Sequence, residues 1–171
     1  MIFPPFTNLN TDRLVLRELQ ASDAERIFKI RTNARVNEFI DREPTKSVND
    51  SLKFINNILK NHEKQNAIMW AITLKNEPQL IGTVVYWHIV KERDKAEIGY
   101  EMLPEYFGQG IMHEALSEVI RFGFETMRLK TIVAETKAVN LRSVNALEKC
   151  GFEEKDKADN DYLIYQLTAN S

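Results

Sequence analysis

The length, composition and charge of this chain limit what it can be. Its 171 residues are 43% hydrophobic and 28% charged, which is ordinary for one globular domain spanning residues 1–171. The net charge of −2 argues against a nucleic-acid partner, and no apolar run is long enough for a membrane span. Cys150 is the single cysteine and the first residues lack a signal-peptide pattern, so a cytoplasmic location is expected.

The first half of the chain predicts one strand, two helices and a hairpin. Alternating apolar and polar residues over 13–18 indicate the strand. A capping box at Ser22–Glu25 and a second start signal at Ser47 predict helices that run to about residues 33 and 62. Two β-rich runs, 67–74 and 80–90, flank turn-forming residues and predict the hairpin.

The second half predicts a further strand over 96–103, after a charged turn, and a helix from His113 onward. A strand over 131–137 leads into a short helix over 140–150, which Gly151 is placed to end. Residues 152–157 and 162–167 predict a closing hairpin across Asp159–Asp161. The step from 96 to 137 predicts a right-handed parallel crossover within a mostly antiparallel sheet.

The most informative segment is AEIGYEMLPEYFGQGIMHEA, residues 96–115, in which the strand at 96–103 leads through a glycine turn into the following helix. Gly108 and Gly110 allow the backbone to approach a ligand closely. The unpaired N–H groups and the dipole at the start of the helix favour an anion. We therefore expect a phosphate-bearing cosubstrate here, although the glycines alone are as compatible with an ordinary loop.

A second segment, NLRSVNALEKCGF over residues 140–152, follows a predicted strand directly. Together with YFGQGIMHEA and the N-terminal TDRLVLRELQASDA, it resembles the GNAT (Gcn5-related) N-acetyltransferases. The most similar branch includes the ribosomal-protein N-terminal acetyltransferases of the RimJ/RimL type. The resemblance spans about residues 11–167. It implies an α/β (α+β) fold: a mixed, mostly antiparallel twisted sheet with a central pair of splayed parallel strands, flanked by helices.

The resemblance implies acetyl-CoA as the cosubstrate. Its pantetheine arm is expected between the splayed strands, along the backbone of Met102 and Leu103 and near Asn140 and Ser143. Its pyrophosphate is expected on the turn formed by Phe107, Gly108, Gln109, Gly110, Ile111, Met112 and His113. Phe107 stands where the family usually has Gln or Arg, so the backbone is expected to hold most of the diphosphate.

The resemblance also indicates the catalytic groups. Leu147 occupies the position of a tyrosine acid that many members carry, so a tyrosine acid is excluded there. Ser143 matches a serine that the RimL-like branch has near the expected sulfur, and the resemblance implies that Ser143 donates to the departing thiolate or orients it. Its alternative role is to bond its own helix backbone. Glu97 and Glu101 are candidate bases because they share one face of a strand, although either could instead be solvated or ion-paired.

The expected reaction is direct transfer of an acetyl group to a primary amine, with a protein N-terminal α-amine of the ribosomal-protein type as the leading acceptor. The alternatives are a small amine (an amino acid, a polyamine or an aminoglycoside) and a non-catalytic acyl-CoA-binding module. The resemblance places acceptor specificity at about residues 31–47 and 86–95. No metal is expected because the histidines lack ligand spacing. A monomer and a homodimer both stay open.

Overall fold

The structure, a computed structural model, describes residues 1–159 and 161–169. Its strands are β1 (Leu9–Asn10), β2 (Leu14–Glu18), β3 (Ile68–Leu74), β4 (Glu77–Val90), β5 (Lys95–Met102), β6 (Thr131–Lys137), β7 (Glu153–Lys157) and β8 (Tyr162–Thr168). Its helices are α1 (Ala24–Thr32), α2 (Ala34–Asn37), α3 (Val48–Glu63), α4 (Ile111–Glu125) and α5 (Leu141–Lys149).

The strands form one sheet in the order β1-β2-β3-β4-β5-β6-β8-β7. Every neighbouring pair is antiparallel except β5 and β6, which are parallel and joined through α4. This arrangement confirms the predicted mixed sheet with one central parallel pair.

The core has two layers because the sheet is covered on both faces. Ile68, Trp70 and Ile72 of β3 pack with the buried side of α4. Met69 and Ala71, which alternate with them, pack with α1 and α3. A strand buried on both faces has no polar side to show, which explains the continuous apolar run of β3.

The parallel pair is open at one end. Pairing between β5 and β6 runs only from Lys95 and Thr131 to Glu97 and Val133. Beyond that point β5 continues to Met102 and β6 to Lys137 with no pairing between them. The two strands therefore form a fork, as the family resemblance implied.

The start of α1 differs from the prediction. Residues Ala21–Asp23 form a 3-10 turn and the α-helix begins at Ala24, so Ser22 and Glu25 do not form the predicted capping box. Asp23 takes the capping role instead, since its carboxylate accepts a hydrogen bond from the Gln20 N–H at 2.8 Å. Arg17 holds the same carboxylate through two bonds of 2.8 Å. The pair of Arg17 and Asp23 thus ties the start of this helix to β2.

Other boundaries shifted by a few residues. Helix α4 begins at Ile111 rather than His113, and β4 begins at Glu77 rather than residue 80. Neither β1 nor α2 was predicted, because two and four residues are too few to show a period. Asn160, in the turn of the predicted closing hairpin, lies outside the described residues. None of the helices in the described part of the chain has the length and apolarity to cross a membrane.

Candidate active site

The glycine turn presents its backbone amides outward. Across the described residues, the N–H groups of residues 108–113 donate to no protein acceptor. Gly108 and Gly110 both have a φ of +74°, a conformation that side chains rarely adopt. The N–H of Phe107 differs, since it donates to the Pro104 carbonyl at 3.1 Å. The run of free N–H groups therefore begins at Gly108, not at Phe107, and continues into the first turn of α4.

Arg13 holds this turn from behind. Its guanidinium donates to the Gln109 carbonyl at 2.8 Å and to Glu114 Oε2 at 2.6 Å. The Arg13 backbone N–H and the Thr11 hydroxyl also donate to Glu114. Burial alone would raise the pKa of Glu114, but these bonds together outweigh it and lower the pKa. The turn and the first turn of α4 are thus tied to β2.

The ring of Phe107 contacts two guanidinium groups. The Arg142 guanidinium lies 3.8 Å from the ring centroid and that of Arg35 lies 5.3 Å from it. Loss of hydration, and then the charge of Arg35, lowers the pKa of Arg142. Two cations therefore lie next to the first residue of the turn, where the sequence predicted that the backbone would hold most of the diphosphate.

Met102 and Leu103 differ in their backbone bonding. The Leu103 N–H donates to the Ile81 carbonyl at 2.9 Å, and the Leu103 carbonyl accepts from Tyr106. Leu103 is also completely buried, so its backbone is not available to a ligand, contrary to the expectation. Alternation along an antiparallel strand turns the Met102 N–H the other way, toward the gap of the fork.

Two cavities meet at the open end of the fork. A turn-side cavity of about 100 Å³ is lined by residues that include Met102, Phe107 and Met112. A sheet-side cavity of about 360 Å³ is lined by residues that include Trp87, Glu97 and Glu135. Both linings contain Ile40, Tyr100, Glu101, Asn140 and Ser143. These five residues therefore mark the junction between the cavities.

Ser143 lies at this junction in the first turn of α5. Asn140 caps the helix, since its side chain accepts a hydrogen bond from the Ser143 N–H at 3.3 Å. The Ser143 hydroxyl oxygen lies 2.8 Å from the hydroxyl of Tyr100 on β5. Asn140 and Ser143 thus bond each other within one helix start, and Tyr100, which the sequence did not indicate, contacts Ser143 from the strand.

Glu101 is held by two arginines. Its carboxylate accepts a bond of 2.7 Å from Arg42, and Arg31 lies 3.9 Å away. Only 11% of the Glu101 side chain is exposed. Burial lowers the pKa of Arg31, and the charge of Glu101 partly offsets that effect. Glu101 is therefore ion-paired, which was the alternative to a role as the base.

Glu97 and Glu101 both line the sheet-side cavity, so the predicted shared face is confirmed. Glu97 is not held by arginines as Glu101 is. Its carboxylate lies 2.7 Å from His88 Nδ1, and 16% of its side chain is exposed. No lysine or arginine forms an ion pair with Glu97 among the described residues. Of the two candidate bases, Glu97 is the one that no arginine or lysine pairs with among the described residues.

The segment after α2 closes one side of the sheet-side cavity. Asp41 accepts a bond of 2.8 Å from Lys137 and one of 3.1 Å from the Tyr162 hydroxyl. The bond from Lys137, and then that from Tyr162, lowers the pKa of Asp41. Arg42 of this segment pairs with Glu101 on β5, and Asp41 pairs with Lys137 on β6, so the segment spans the fork.

A family model described as the acetyltransferase (GNAT) domain matches residues 13–153, and that match includes the turn and every residue that lines the two cavities except Tyr162. The chain belongs to this family. It is therefore a GNAT-type N-acetyltransferase, and the expected fold and class of enzyme are confirmed.

Relatives of this GNAT chain support the same conclusion. It is 32% identical to an uncharacterised N-acetyltransferase, YoaA, of Bacillus subtilis, over 88% of this chain and 85% of the relative. It is 29% identical to the [ribosomal protein uS5]-alanine N-acetyltransferase of Escherichia coli, over 94% and 84%. A structure of a proposed ribosomal-protein-serine acetyltransferase from Vibrio cholerae matches 99% of this chain and 100% of its own, with a TM-score of 0.86 and 23% identity.

GNAT acetyltransferases use acetyl-CoA, so the predicted cosubstrate is confirmed. The chain suits such a ligand. The free amides of residues 108–113 offer donors to a diphosphate, and a Cβ added at Gly108 would meet open space, so nothing crowds the approach.

The sequence did not indicate Tyr100, Arg142 or Arg42 as residues of this site. Tyr100 lies within the alternating strand pattern and Arg142 within the motif at 140–152, but neither pattern shows which partner the side chain meets. Arg42 lies in a segment with charges of both signs, where no spacing selects Glu101.

Proposed function

We propose that this GNAT enzyme transfers the acetyl group of acetyl-CoA to the α-amine of a protein N-terminus. The observation that supports this reaction most is the junction of the two cavities at Tyr100, Asn140 and Ser143. A thioester held from the turn side and an amine that enters from the sheet side would meet there. Direct attack of the amine on the thioester requires this arrangement. It involves no covalent enzyme intermediate.

The donor side would use backbone and cationic groups. The free N–H groups of residues 108–113 would hold the diphosphate, and Arg142 would add charge at the mouth of the turn-side cavity. The N–H of Met102 would face the pantetheine arm within the fork. When bound, acetyl-CoA supplies the thioester.

The catalytic roles would fall to Ser143 and Glu97. Ser143 would donate a hydrogen bond to the leaving sulfur, which carries developing negative charge. Glu97 would accept the proton of the amine, directly or through water, because it lines the sheet-side cavity and no arginine or lysine pairs with it among the described residues. Glu101 would instead hold Arg42 and Arg31 against β5.

This allocation favours an α-amine as the acceptor. An α-amine has an ordinary pKa of about 8, whereas a lysine amine has one of about 10.4. A site whose proposed base is a carboxylate suits the amine that is more easily deprotonated. The uS5-alanine acetyltransferase relative is named for the same kind of acceptor. A cytoplasmic location, a single domain and a monomer or homodimer stay predictions from the sequence.

The test is release of CoA thiol with matched acceptors. One peptide carries a free N-terminal alanine and no lysine, a second has its α-amine blocked and one internal lysine, and spermidine represents small amines. We expect the free α-amine peptide to be acetylated fastest, with the product located by mass spectrometry. Faster reaction of spermidine or of the lysine peptide would contradict the proposed acceptor. Binding of CoA without turnover on any amine would contradict the reaction itself.

A further inference from the structure

Tyr100 and Ser143 are brought together only by the fork. Tyr100 lies on β5 past the last residue that pairs with β6, and Ser143 lies in the helix that follows β6. Their hydroxyl oxygens are 2.8 Å apart, which is an ordinary length for an O–H···O bond. The Tyr100 hydroxyl lies farther from the Ser143 carbonyl, at 3.4 Å. The short contact therefore links the two side chains directly across the gap.

The chemistry of the pair indicates which group donates. A phenolic hydroxyl is a stronger donor and a weaker acceptor than an aliphatic one, because the ring delocalises its lone pair. Burial also raises the pKa of Tyr100, so the phenol keeps its proton. With Tyr100 donating to the Ser143 oxygen, the proton of Ser143 stays free for another acceptor.

Without this bond Ser143 has a competing conformation. A serine in a helix can turn its hydroxyl to a carbonyl of the preceding turn, which directs its proton away from the cavity. Among the described residues, the Ser143 hydroxyl forms its hydrogen bond with Tyr100. The tyrosine thus holds the serine oxygen on the side where the two cavities meet.

We propose that Tyr100 is a positioning residue that holds the Ser143 hydroxyl with its proton directed at the cavity junction, where it would bond the leaving sulfur. The inference rests on the proposed function, since it assigns a role to Tyr100 only through Ser143. It requires no transfer of a proton from Tyr100.

A double-mutant cycle with Tyr100→Phe and Ser143→Ala tests this role. Tyr100→Phe keeps the ring in its packing and removes only the hydroxyl. We expect it to lower kcat roughly five- to tenfold, the effect of one lost hydrogen bond, and to leave the Kd for CoA within about twofold. In the Ser143→Ala background the same change should have almost no further effect, because the group that it positions is absent.

Tyr165→Phe is the matched control, since Tyr165 is buried on β8 and lines neither cavity. It should leave kcat unchanged. Independent, multiplicative losses in the double mutant would overturn the inference, as would full activity of Tyr100→Phe beside an impaired Ser143→Ala. Full activity of Ser143→Ala would remove Ser143 from the proposed function itself, which is a distinguishable failure.

Discussion

At the scale of single residues, two glutamates of β5 have the same spacing and the same face but different surroundings. Glu101 is clamped by Arg42 and approached by Arg31, whereas Glu97 contacts only His88 among the charged side chains described. Sequence spacing could group the two carboxylates as candidate bases. It could not separate them, because the arginines that occupy Glu101 come from a segment about sixty residues earlier in the chain.

We predict that Glu97→Gln lowers kcat at pH 7 by tenfold or more, with little change in stability, because it removes a proton acceptor. The loss should shrink as the pH rises above about 8, since the free amine then needs less help to lose its proton. A pH profile of kcat checks this expectation. An equal loss at every pH would contradict the role of Glu97 as a base.

The companion variant Glu101→Gln should behave differently. It leaves the guanidinium groups of Arg42 and Arg31 half-buried without their counter-charge. We expect a loss of about 1–3 kcal/mol in the free energy of unfolding, measured with urea. A variant as stable as the parent would show that this ion pair contributes nothing to the fold.

At the scale of elements, the glycine turn is a local pattern whose geometry depends on a distant strand. The free amides follow from the start of α4, and the positive φ of Gly108 and Gly110 follows from the lack of a side chain. The orientation of the turn depends on Arg13 of the β2 region, which bonds the Gln109 carbonyl and Glu114. The position of these donors is therefore set before any ligand binds.

We predict that Arg13→Ala weakens CoA binding several-fold with a smaller effect on kcat. The change frees the Gln109 carbonyl and leaves Glu114 near the anion site without its guanidinium partner. Calorimetric titration with CoA measures the Kd. Arg121→Ala is the matched control, because Arg121 lies on the same helix with exposed ion pairs at its far end. Equal Kd values for the two variants would contradict this account of the turn.

At the scale of the whole molecule, the fork is held together at one end and open at the other. Asp94 precedes β5, and its carbonyl accepts from the backbone N–H groups of Lys130 and Thr131 ahead of β6. Its carboxylate bonds Lys130 Nζ at 2.8 Å and also the N-terminal ammonium of Met1. Strand pairing continues for three residues from this point and then stops.

The ion pairs of Asp94 predict that the stability of the protein depends on pH. The hydrogen bond from Lys130, and then that from the N-terminal ammonium, lowers the pKa of Asp94 from 3.8 to about 2. A lowered carboxyl pKa contributes stability above pH 3.8, and that contribution is lost as the pH falls toward 2. Asp94→Asn should therefore be less stable than the parent at pH 6, with a difference that shrinks at low pH.

Thermal unfolding from pH 6 down to the lowest pH at which the protein stays folded measures this difference. Asparagine tolerates the left-handed backbone of Asp94, whose φ is +48°, so the substitution changes the charge without adding strain. Asp12→Asn, at an exposed position, is the control and should show no such trend. A constant difference between Asp94→Asn and the parent would contradict the assignment.

The amino-acid sequence by itself determined the local features of this protein. The glycines of the turn, the Ser47 and Asn140 caps and the left-handed Gly151 just after α5 depend on neighbours within a few residues, so their patterns predicted them. The GNAT motifs did the same for the family and the cosubstrate. Tertiary structure alone decided the contacts of Tyr100 with Ser143, of Glu101 with Arg42 and of Arg13 with Gln109. Each joins side chains far apart in the chain, and only the packing of the sheet and helices brings such groups within hydrogen-bonding distance.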